Sequence, residues 1–493
     1  MRNRLSRPLP ALRAVVLTLL LTACTTENPA TGERNFTPLM SPKQERQVGA
    51  SEHPKILQEF GGIYDDPKVG AWIAGLGGRL VASSELPGES FTFSVLDTEM
   101  VNAFALPGGY VYVTRGLLAL ANTEAEVAGV LAHEIGHVTA RHTAQRVNTA
   151  VFANLAAAAL GVLTGSGELA QVGQVVGAGA LAQYSQSQEY EADSLGIRYM
   201  TRIGYNPLAQ ADFLASLQRE HELQQAIAGR QGEDPLAGFF ATHPNTADRV
   251  QRAAAEAREH RQGVPELSYG RAALLQNIDG VIYGDSPEQG YARGRTFSHP
   301  KLGFTFTVPE GFKLTNRPAA VSAQHASGAA LLFDRAPKPR SHDPLDYLRE
   351  EWAKNVPLED LGRLTVNGLP AATASAQGRT NQGRRELRLL AIRFAPGEIY
   401  RFIFISPPNQ SPQASEPFRQ TAFSFRRLSQ SEAQRLQPYR LRVVTVGPGD
   451  TVQSLARRMV LGDHQEARFR ILNALPEGTG LRPGDRVKLV TDG

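Results

Sequence analysis

The chain has 493 residues, a formal net charge of +4 and 42% apolar residues. This length and apolar content are ample for two or three folded domains. Because the chain contains a single cysteine, no disulfide can form within it, and its hydrophobic core must carry its stability. The small positive charge is not gathered into a basic stripe, so the composition gives no reason to expect a nucleic-acid partner.

Residues 1–23 have the pattern of a secretory leader. Four arginines precede an apolar run at residues 14–21, and the segment contains no acidic residue. The run is too short for a stable membrane anchor. The run ends in Leu-Thr-Ala-Cys, which resembles the lipobox of bacterial lipoproteins. We therefore predict a lipid on Cys24 and, because Thr25 rather than Asp follows, a place on the periplasmic face of the outer membrane. The alternative is an ordinary leader. Removing the leader leaves the chain close to neutral.

A helix-rich domain is predicted at residues 46–265, joined to the lipid by a polar, proline-containing tether at residues 24–45. Its most informative segment is the HExxH sequence at residues 133–137. Thr123 and Glu126 have the spacing of a capping box, and apolar residues then recur at helical intervals. The segment is therefore predicted to lie within a helix.

The HExxH helix predicts a metal site. A helix places His133 and His137 on one face, so both imidazoles can reach one metal ion. Glu134 lies beside them and can take a proton from a water that the metal activates. Imidazoles suit zinc, and catalysis requires a third protein ligand and an open position. Because HExxH also occurs by chance, the prediction depends on the motifs that follow.

The sequence EYEAD at residues 189–193 offers the third ligand. Metzincins instead use a histidine six residues after the second ligand, but Thr143 occupies that position here. Glu189 and Asp193 are four residues apart and share a helix face, whereas Glu191 points elsewhere. We expect Glu189 to bind zinc and Asp193 to accept a hydrogen bond from a ligand histidine. The alternative is a charged helix face exposed to solvent.

These motifs resemble those of the gluzincin metalloproteases of peptidase family forty-eight, which includes CAAX prenyl endopeptidases, membrane heat-shock proteases and periplasmic BepA-like proteases. Residues 102–110, NAFALPGGY, look like the NAFxxPGG strand and turn of that family. Residues 242–244, THP, followed by Arg249, look like its HPxxxxR motif. The resemblance covers about residues 40–260. It implies a mainly helical gluzincin domain with a short edge-strand sheet, and one zinc ion per chain held by His133, His137 and Glu189.

The resemblance also implies roles for the two added motifs. Asn102, Ala103 and Phe104 would belong to an edge strand that pairs with the backbone of an extended peptide. His243 and Arg249 would face the zinc site as catalytic residues. His243 could donate a hydrogen bond to the developing oxyanion. It could instead occupy the open zinc position and inhibit the enzyme, as the histidine switch proposed for BepA-like proteases does. The sequence leaves both roles open.

Two features of this domain belong to no motif. His142 and His221 are assigned ordinary surface or packing roles. The very apolar stretch at residues 151–181 is predicted to form helices packed over the cleft, with a mobile lid as a variant of that arrangement and membrane contact as the alternative.

Residues 270–430 become strand-like and form a predicted α+β domain. Residues 304–308 alternate in polarity, and turns at Asn367-Gly368 and at residues 395–398 predict two hairpins. No catalytic cluster lies in this part of the sequence. Its function is unreadable from sequence, and binding of a substrate or partner is a guess.

Residues 439–491 resemble a LysM module. A strand is followed by a GDT turn at residues 449–451, two helices, and PGD before a last strand. The resemblance implies a small βααβ fold that binds N-acetylglucosamine chains of peptidoglycan. Residues 461–465 depart from the compact pattern, so a degenerate module used only for packing is the alternative.

Taken together, the motifs predict an α+β zinc endopeptidase. By family analogy its partners are misfolded or misassembled envelope polypeptides, with a role in quality control. A hydrolase of peptidoglycan crosslinks is one alternative, because a LysM-like region accompanies the zinc site. A non-catalytic assembly factor or chaperone, with its cleft silenced by His243, is the other, although the presence of a general base at Glu134 argues against it.

Overall fold

The computed structural model describes residues 25–36, 40–148, 183–228, 236–244, 247–264, 266–380 and 383–493. The predicted leader at residues 1–23, Cys24 and the apolar stretch at residues 151–181 lie outside the described residues. The described part confirms the predicted α+β class, with a helical N-terminal region followed by a sheet-rich one. Among the described helices, none combines the length and the apolar character that crossing a membrane requires.

The N-terminal region consists of helices around a small sheet. Its helices are α1 (Pro42–Glu59), α2 (Pro67–Ser83), α3 (Arg115–Leu120), α4 (Glu124–Thr139), α5 (Gln186–Arg202), α6 (Leu208–Ala228), α7 (Ala237–Thr242) and α8 (Ala247–His260). Its strands are β1 (Thr25–Glu27), β2 (Arg34–Phe36), β3 (Thr92–Leu96), β4 (Ala103–Leu106) and β5 (Tyr110–Thr114). Strands β1 and β2 form an antiparallel hairpin. The other three lie in the order β3–β5–β4, which leaves antiparallel β4 at an edge.

Helix α4 carries the HExxH sequence and begins at the predicted cap. The Thr123 side chain accepts a hydrogen bond from the backbone N–H of Glu126 at 3.2 Å. The predicted capping box is only half formed, because the Glu126 carboxylate accepts the backbone N–H of Asn122, at 2.8 Å, instead of that of Thr123. Both interactions satisfy backbone groups that a helix start leaves without partners.

Close contact between α4 and α5 brings the two predicted zinc-binding segments together. A Cβ atom at Gly136 would lie 3.2 Å from the carbonyl oxygen of Ala192, and one at Gly196 would lie 3.2 Å from the backbone nitrogen of His133. Glycine at both positions therefore lets the two backbones approach more closely than other residues would. As a result, EYEAD on α5 lies opposite HExxH on α4.

The sheet-rich region follows helix α9 (Arg271–Ile278). Its strands are β6 (Ile282–Tyr283), β7 (Tyr291–Arg293), β8 (Thr296–His299), β9 (Phe304–Thr307), β10 (Lys313–Asn316), β11 (Val321–Gln324), β12 (Ala330–Arg335), β13 (Glu359–Val366), β14 (Leu369–Thr380), β15 (Gly383–Ala395), β16 (Glu398–Ser406) and β17 (Arg426–Arg427). Its helical segments are α10 (Pro344–Asp346), a π-helix (Tyr347–Trp352), a 3-10 turn (Pro408–Gln410), α11 (Ser411–Ser424) and α12 (Gln430–Arg435).

Two sheets build most of this region. One has seven strands in the order β10–β11–β12–β16–β15–β14–β13, and the other has four in the order β17–β9–β8–β7. Both predicted hairpins are confirmed. Asn367 and Gly368 connect β13 to β14 with φ values of 44° and 79°, as a tight two-residue turn requires. The second turn connects β15 to β16 between Ala395 and Glu398.

The C-terminal segment has the strand–helix–helix–strand order expected for residues 439–491. Its elements are β18 (Tyr439–Thr445), α13 (Val452–Ala456), α14 (Gln465–Leu472) and β19 (Arg486–Asp492). Strand β18 pairs with β19 on one side and with β6 on the other. The first of these helices is short and ends at Ala456.

This segment packs directly against the N-terminal region. Leu455 and Leu489 belong to the same buried hydrophobic cluster as Leu131 of α4. The buried Lys488 ammonium donates hydrogen bonds to the carbonyl oxygens of Ala119 at 2.8 Å and Ala121 at 2.6 Å, where α3 ends. The C-terminal segment therefore shares a hydrophobic core with the N-terminal region.

Candidate metal centre and active site

Four buried side chains from α4, α5 and the end of α7 meet at one point. One ligand atom from each of His133, His137, Glu189 and His243 lies within 4.8 Å of the others. The Nε2 atoms of His133 and His137 are 3.0 Å apart. His243 Nδ1 is 3.3 Å from His133 Nε2 and 3.0 Å from Glu189 Oε1. Imidazole nitrogens and a carboxylate oxygen that converge in this way form a donor set suited to zinc.

Polar atoms beside this group lack partners. Both carboxylate oxygens of Glu134 and the Nε2 atom of His243 are buried and accept or donate no hydrogen bond within the described part of the chain. Leaving such groups buried and unpaired is costly. A metal ion together with the water of a hydrolytic site would satisfy them, so the residues present fit the metal that HExxH predicts.

The surroundings of His137 and Glu189 favour the metal-binding form of each. Burial lowers the pKa of His137 well below its ordinary value, which keeps the imidazole neutral as metal binding requires. Burial opposes ionisation of Glu189, but the surrounding histidines outweigh it and hold the pKa of this carboxyl well below its usual range. Glu189 is therefore an ionised carboxylate among buried imidazoles.

Asp193 and Arg249 support the other ligand histidine. Asp193 Oδ1 lies 2.9 Å from His133 Nδ1, the position that the sequence predicts for this carboxylate. Arg249 donates two hydrogen bonds to the Asp193 carboxylate, from Nε at 2.6 Å and from Nη2 at 2.8 Å. Its Nη1 forms an ion pair with Glu189. The side chain of Arg249 thus faces the metal group. Its nitrogens bind carboxylates and do not line an open cleft.

His142 is a residue that sequence analysis left without a role. It is fully buried, and its Nδ1 lies 2.8 Å from Nδ1 of His137. Its Nε2 lies 3.2 Å from Glu191 Oε2, so Glu191 does point away from the metal group, but toward this histidine. The turn at Arg141, with φ of 58°, directs the chain back after α4. No helical spacing signals this contact, because it forms beyond the end of the helix.

Tyr184 covers the same ligand. Its ring lies parallel to that of His137, with centroids 3.6 Å apart and an angle of 11° between the planes. The guanidinium of Arg146 lies 3.5 Å from the Tyr184 ring centroid. This stack limits rotation of the His137 imidazole.

Strand β4 contains Ala103 and Phe104, two of the residues expected to bind substrate, and Asn102 directly precedes it. Thr114 donates its backbone N–H to the carbonyl of Asn102 at 3.0 Å, so the hydrogen-bonded pairs with β5 include residues 102 and 104. The backbone groups of Ala103 and Ala105 therefore point away from β5, although both residues are buried in this structure. The Phe104 side chain packs against Phe60 and Tyr112, with centroids 5.2 and 4.8 Å away, and only its backbone belongs to the strand edge.

Comparison with known proteins identifies the region that holds this site. Residues 67–257 match the profile described as Peptidase family M48. This chain contains a Peptidase M48 domain. The family prediction from sequence is thereby confirmed, and the HExxH, EYEAD and THP segments all lie within the M48 domain.

Several curated relatives resemble this chain over the M48 domain. The beta-barrel assembly-enhancing protease of Escherichia coli (strain K12) is 31% identical over 239 residues, which are 46% of each chain. The metalloprotease LoiP of the same strain is 31% identical over 34% of this chain and 63% of its own length. The mitochondrial metalloendopeptidase OMA1 of Schizosaccharomyces pombe is 28% identical over 45% and 64%. The chain spans about half the length of the beta-barrel assembly-enhancing proteases that it matches.

Proposed function

We propose that this chain is a zinc-dependent endopeptidase. The observation that carries the proposal is the buried group of His133, His137, Glu189 and His243, with Glu134, whose oxygens accept no hydrogen bond, beside it inside an M48 domain. Three imidazoles and one carboxylate are donors that suit zinc better than they suit magnesium or calcium, which prefer oxygen ligands throughout.

Glu134 is the proposed general base. Zinc held by His133, His137 and Glu189 would supply a Lewis acid and an activated water. Glu134 would accept the proton of the attacking water and return it to the leaving amine, a role usually worth about a hundredfold to ten-thousandfold in rate. Asp193 and Arg249 would keep His133 and Glu189 in place while the proton moves.

His243 is proposed to close the site in its resting state. Its Nδ1 lies among the ligand atoms, and its Nε2 is 3.5 Å from Glu134 Oε1. Four protein ligands are typical of closed structural zinc sites, whereas catalytic sites keep one position open. Of the two roles that the sequence allows, this geometry favours occupation of the open position over donation to an oxyanion.

Extended polypeptides are the proposed substrates, specifically misfolded or misassembled proteins of the cell envelope. The edge position of β4, with Asn102, Ala103 and Phe104, supports recognition through the backbone, because strand addition needs little sequence preference. All three residues are buried here, so binding would require this edge to be uncovered. The relatives named beta-barrel assembly-enhancing proteases support the envelope as the setting. The proposed location is the periplasmic face of the outer membrane, with a lipid on Cys24, which rests on the leader pattern.

Peptidoglycan is a proposed second partner through the LysM-like segment at residues 439–491. The strand–helix–helix–strand order of that segment supports this assignment. Binding of the full chain to purified sacculi tests it.

Cleavage of unfolded casein by the full-length chain tests the proposed activity. We expect about one zinc ion per chain, cleavage by the wild type, and at least a hundredfold loss in Glu134→Gln without loss of zinc. We expect His243→Ala to cleave faster than the wild type, because one zinc position becomes open. Glu222→Gln, an exposed carboxylate on α6, is the matched control.

Three outcomes would contradict the proposal. Full activity in Glu134→Gln would contradict the assignment of Glu134 as the general base. Stoichiometric zinc without cleavage by either the wild type or His243→Ala would favour a non-catalytic assembly factor. Release of crosslinked peptides from sacculi, with casein untouched, would favour the wall hydrolase.

A further inference from the structure

We propose that His142, Glu191 and Asn28 are positioning residues that fix the orientation and the proton of the His137 imidazole. This inference rests on the proposed function, because it takes His137 as a zinc ligand. None of these three residues is among the zinc ligands or catalytic residues assigned above. One of them, Asn28, lies far upstream of the M48 match, in the turn of the β1–β2 hairpin.

The position of His137 determines which of its nitrogens carries the proton. Its Nε2 faces the ligand group, 3.0 Å from His133 Nε2 and 3.4 Å from Glu189 Oε1. A neutral imidazole that binds zinc through Nε2 carries its proton on Nδ1. The His137 Nδ1–H group then donates across the 2.8 Å separation to Nδ1 of His142.

The rest of the chain of hydrogen bonds follows from that assignment. Because His142 accepts at Nδ1, its own proton lies on Nε2, which donates to Glu191 Oε2 at 3.2 Å. The other oxygen of that carboxylate, Oε1, accepts from Asn28 Nδ2 at 2.9 Å. A single set of tautomers therefore satisfies every bond from the metal ligand to the hairpin.

Asn28 is itself held in place by the hairpin. Its side-chain oxygen accepts the backbone N–H of Ala30 at 2.9 Å, so the amide nitrogen is the atom that faces Glu191. Its backbone N–H donates to the carbonyl of Glu33 at 2.7 Å. The Asn28 side chain is 2% exposed. The hairpin thus presents one fixed amide donor to Glu191.

Helix α5 supports both ligand histidines through alternate acidic residues. Asp193 bonds directly to Nδ1 of His133, and Glu191 bonds to His137 through His142. Carboxylates that accept the second N–H of a ligand histidine commonly set its tautomer, and their loss typically weakens metal binding by about 10- to 100-fold. The same helix also supplies the ligand Glu189, so EYEAD contributes all three of its acidic residues to the site.

The test measures zinc binding rather than cleavage. All variants are made in the full-length chain carrying Glu134→Gln, and zinc affinity is measured by competition with a chelating indicator. We expect His142→Leu to bind zinc about 10- to 100-fold more weakly. His142→Asn should recover much of this loss, because its amide oxygen can replace Nδ1 as the acceptor for His137. His260→Leu, an exposed histidine on α8, is the control and should bind like the parent.

Two further readouts separate positioning from packing. We expect the visible absorption of the cobalt-loaded protein to shift in His142→Leu and to stay close to that of the parent in His142→Asn. Asn28→Ala leaves the core around the ligands intact, so it remains informative even if His142→Leu fails to fold. It should weaken zinc binding severalfold through the loss of a hydrogen bond to Glu191.

The outcomes distinguish this inference from the function on which it rests. A parent protein that binds no zinc would overturn both. If the parent binds zinc, the positioning role is overturned by parent-like affinity in His142→Leu and Asn28→Ala, or by His142→Asn binding as weakly as His142→Leu.

Discussion

The guanidinium of Arg249 shows how this protein can bury several carboxylates next to one another. Arg249 is 3% exposed and contacts both Asp193 and Glu189. Its positive charge overcomes the effect of burial and lowers the pKa of Asp193, which stays ionised and can accept a hydrogen bond from His133. Without this cation, two buried negative charges would lie side by side away from water, which is strongly unfavourable.

Replacing Arg249 should therefore destabilise the protein as well as its metal site. We expect Arg249→Met to lower the free energy of unfolding of the metal-free chain by about 3–5 kcal/mol, as removal of one partner from a buried ion pair does. Urea denaturation measures this loss. Arg252→Met, three residues along the same helix at an exposed position, should change stability by less than about 1 kcal/mol. Equal effects of the two substitutions would contradict the assignment.

Helical spacing explains which residues of the site were predictable. His133, His137, Glu189 and Asp193 follow from the rule that residues four apart share a helix face, and the structure brings their side chains to one place. His142 could not be found in this way, because its contact depends on a backward turn after α4. Asn28 lies 163 residues from Glu191 in sequence, and no local pattern relates them.

At the scale of elements, the strand β4 is the feature that connects the fold to the proposed substrate. Its pairing with β5 uses the backbone of residues 102 and 104 and leaves that of Ala103 and Ala105 pointing away from β5, at an edge that is buried in this structure. A substrate that adds a strand here would form backbone hydrogen bonds with these two residues. Because α4 packs against this sheet, such a strand would lie beside the ligands that α4 carries.

Removing one outward backbone donor should weaken substrate binding selectively. We expect Ala105→Pro to raise KM for casein by about two- to tenfold, the effect of losing one hydrogen bond, with zinc content unchanged. Proline is tolerated at an edge strand where its missing N–H faces outward. Ala105→Ser keeps the N–H and should leave KM close to that of the wild type. An unchanged KM in Ala105→Pro would show that substrate does not pair with this edge.

The elements also differ in how far sequence could predict them. The hairpin at Asn367-Gly368 was predictable because both residues tolerate the positive φ that its two-residue turn requires. The order of the seven-stranded sheet was not, since β12 pairs with β16 across more than sixty residues and no local signal encodes that neighbour. The close approach of α4 and α5 likewise depends on glycines whose role only packing reveals.

At the scale of the whole molecule, the C-terminal segment stabilises the M48 domain. Lys488 is buried and binds carbonyl groups where α3 ends, just before the cap of α4. Burial lowers the pKa of Lys488 to about 7, and its nitrogen donates to carbonyls that the end of the helix leaves without partners. The shared hydrophobic cluster adds apolar contact between the same two parts. The C-terminal segment and the M48 domain are therefore joined by contacts in the folded structure, although they are far apart in sequence.

Replacing Lys488 should lower the stability of the chain. We expect Lys488→Ala to lower the free energy of unfolding by about 1–3 kcal/mol, because it leaves buried carbonyl groups without a donor. Chemical denaturation followed by tryptophan fluorescence measures the change. Lys354→Ala, an exposed lysine in the sheet-rich region, serves as the control and should have little effect. A C-terminal segment that folds independently would instead leave the M48 domain unaffected by Lys488→Ala.

With the proposed lipid on Cys24, the contact between Asn28 and Glu191 would limit how far the site can lie from a membrane. Four peptide units separate Asn28 from Cys24, which extend to at most about 14 Å. With the proposed lipid on Cys24, the hairpin would hold the M48 domain against the bilayer, without a long flexible leash. Such an anchored enzyme would act on polypeptides that come within about a molecular diameter of the membrane surface, such as chains stalled during insertion.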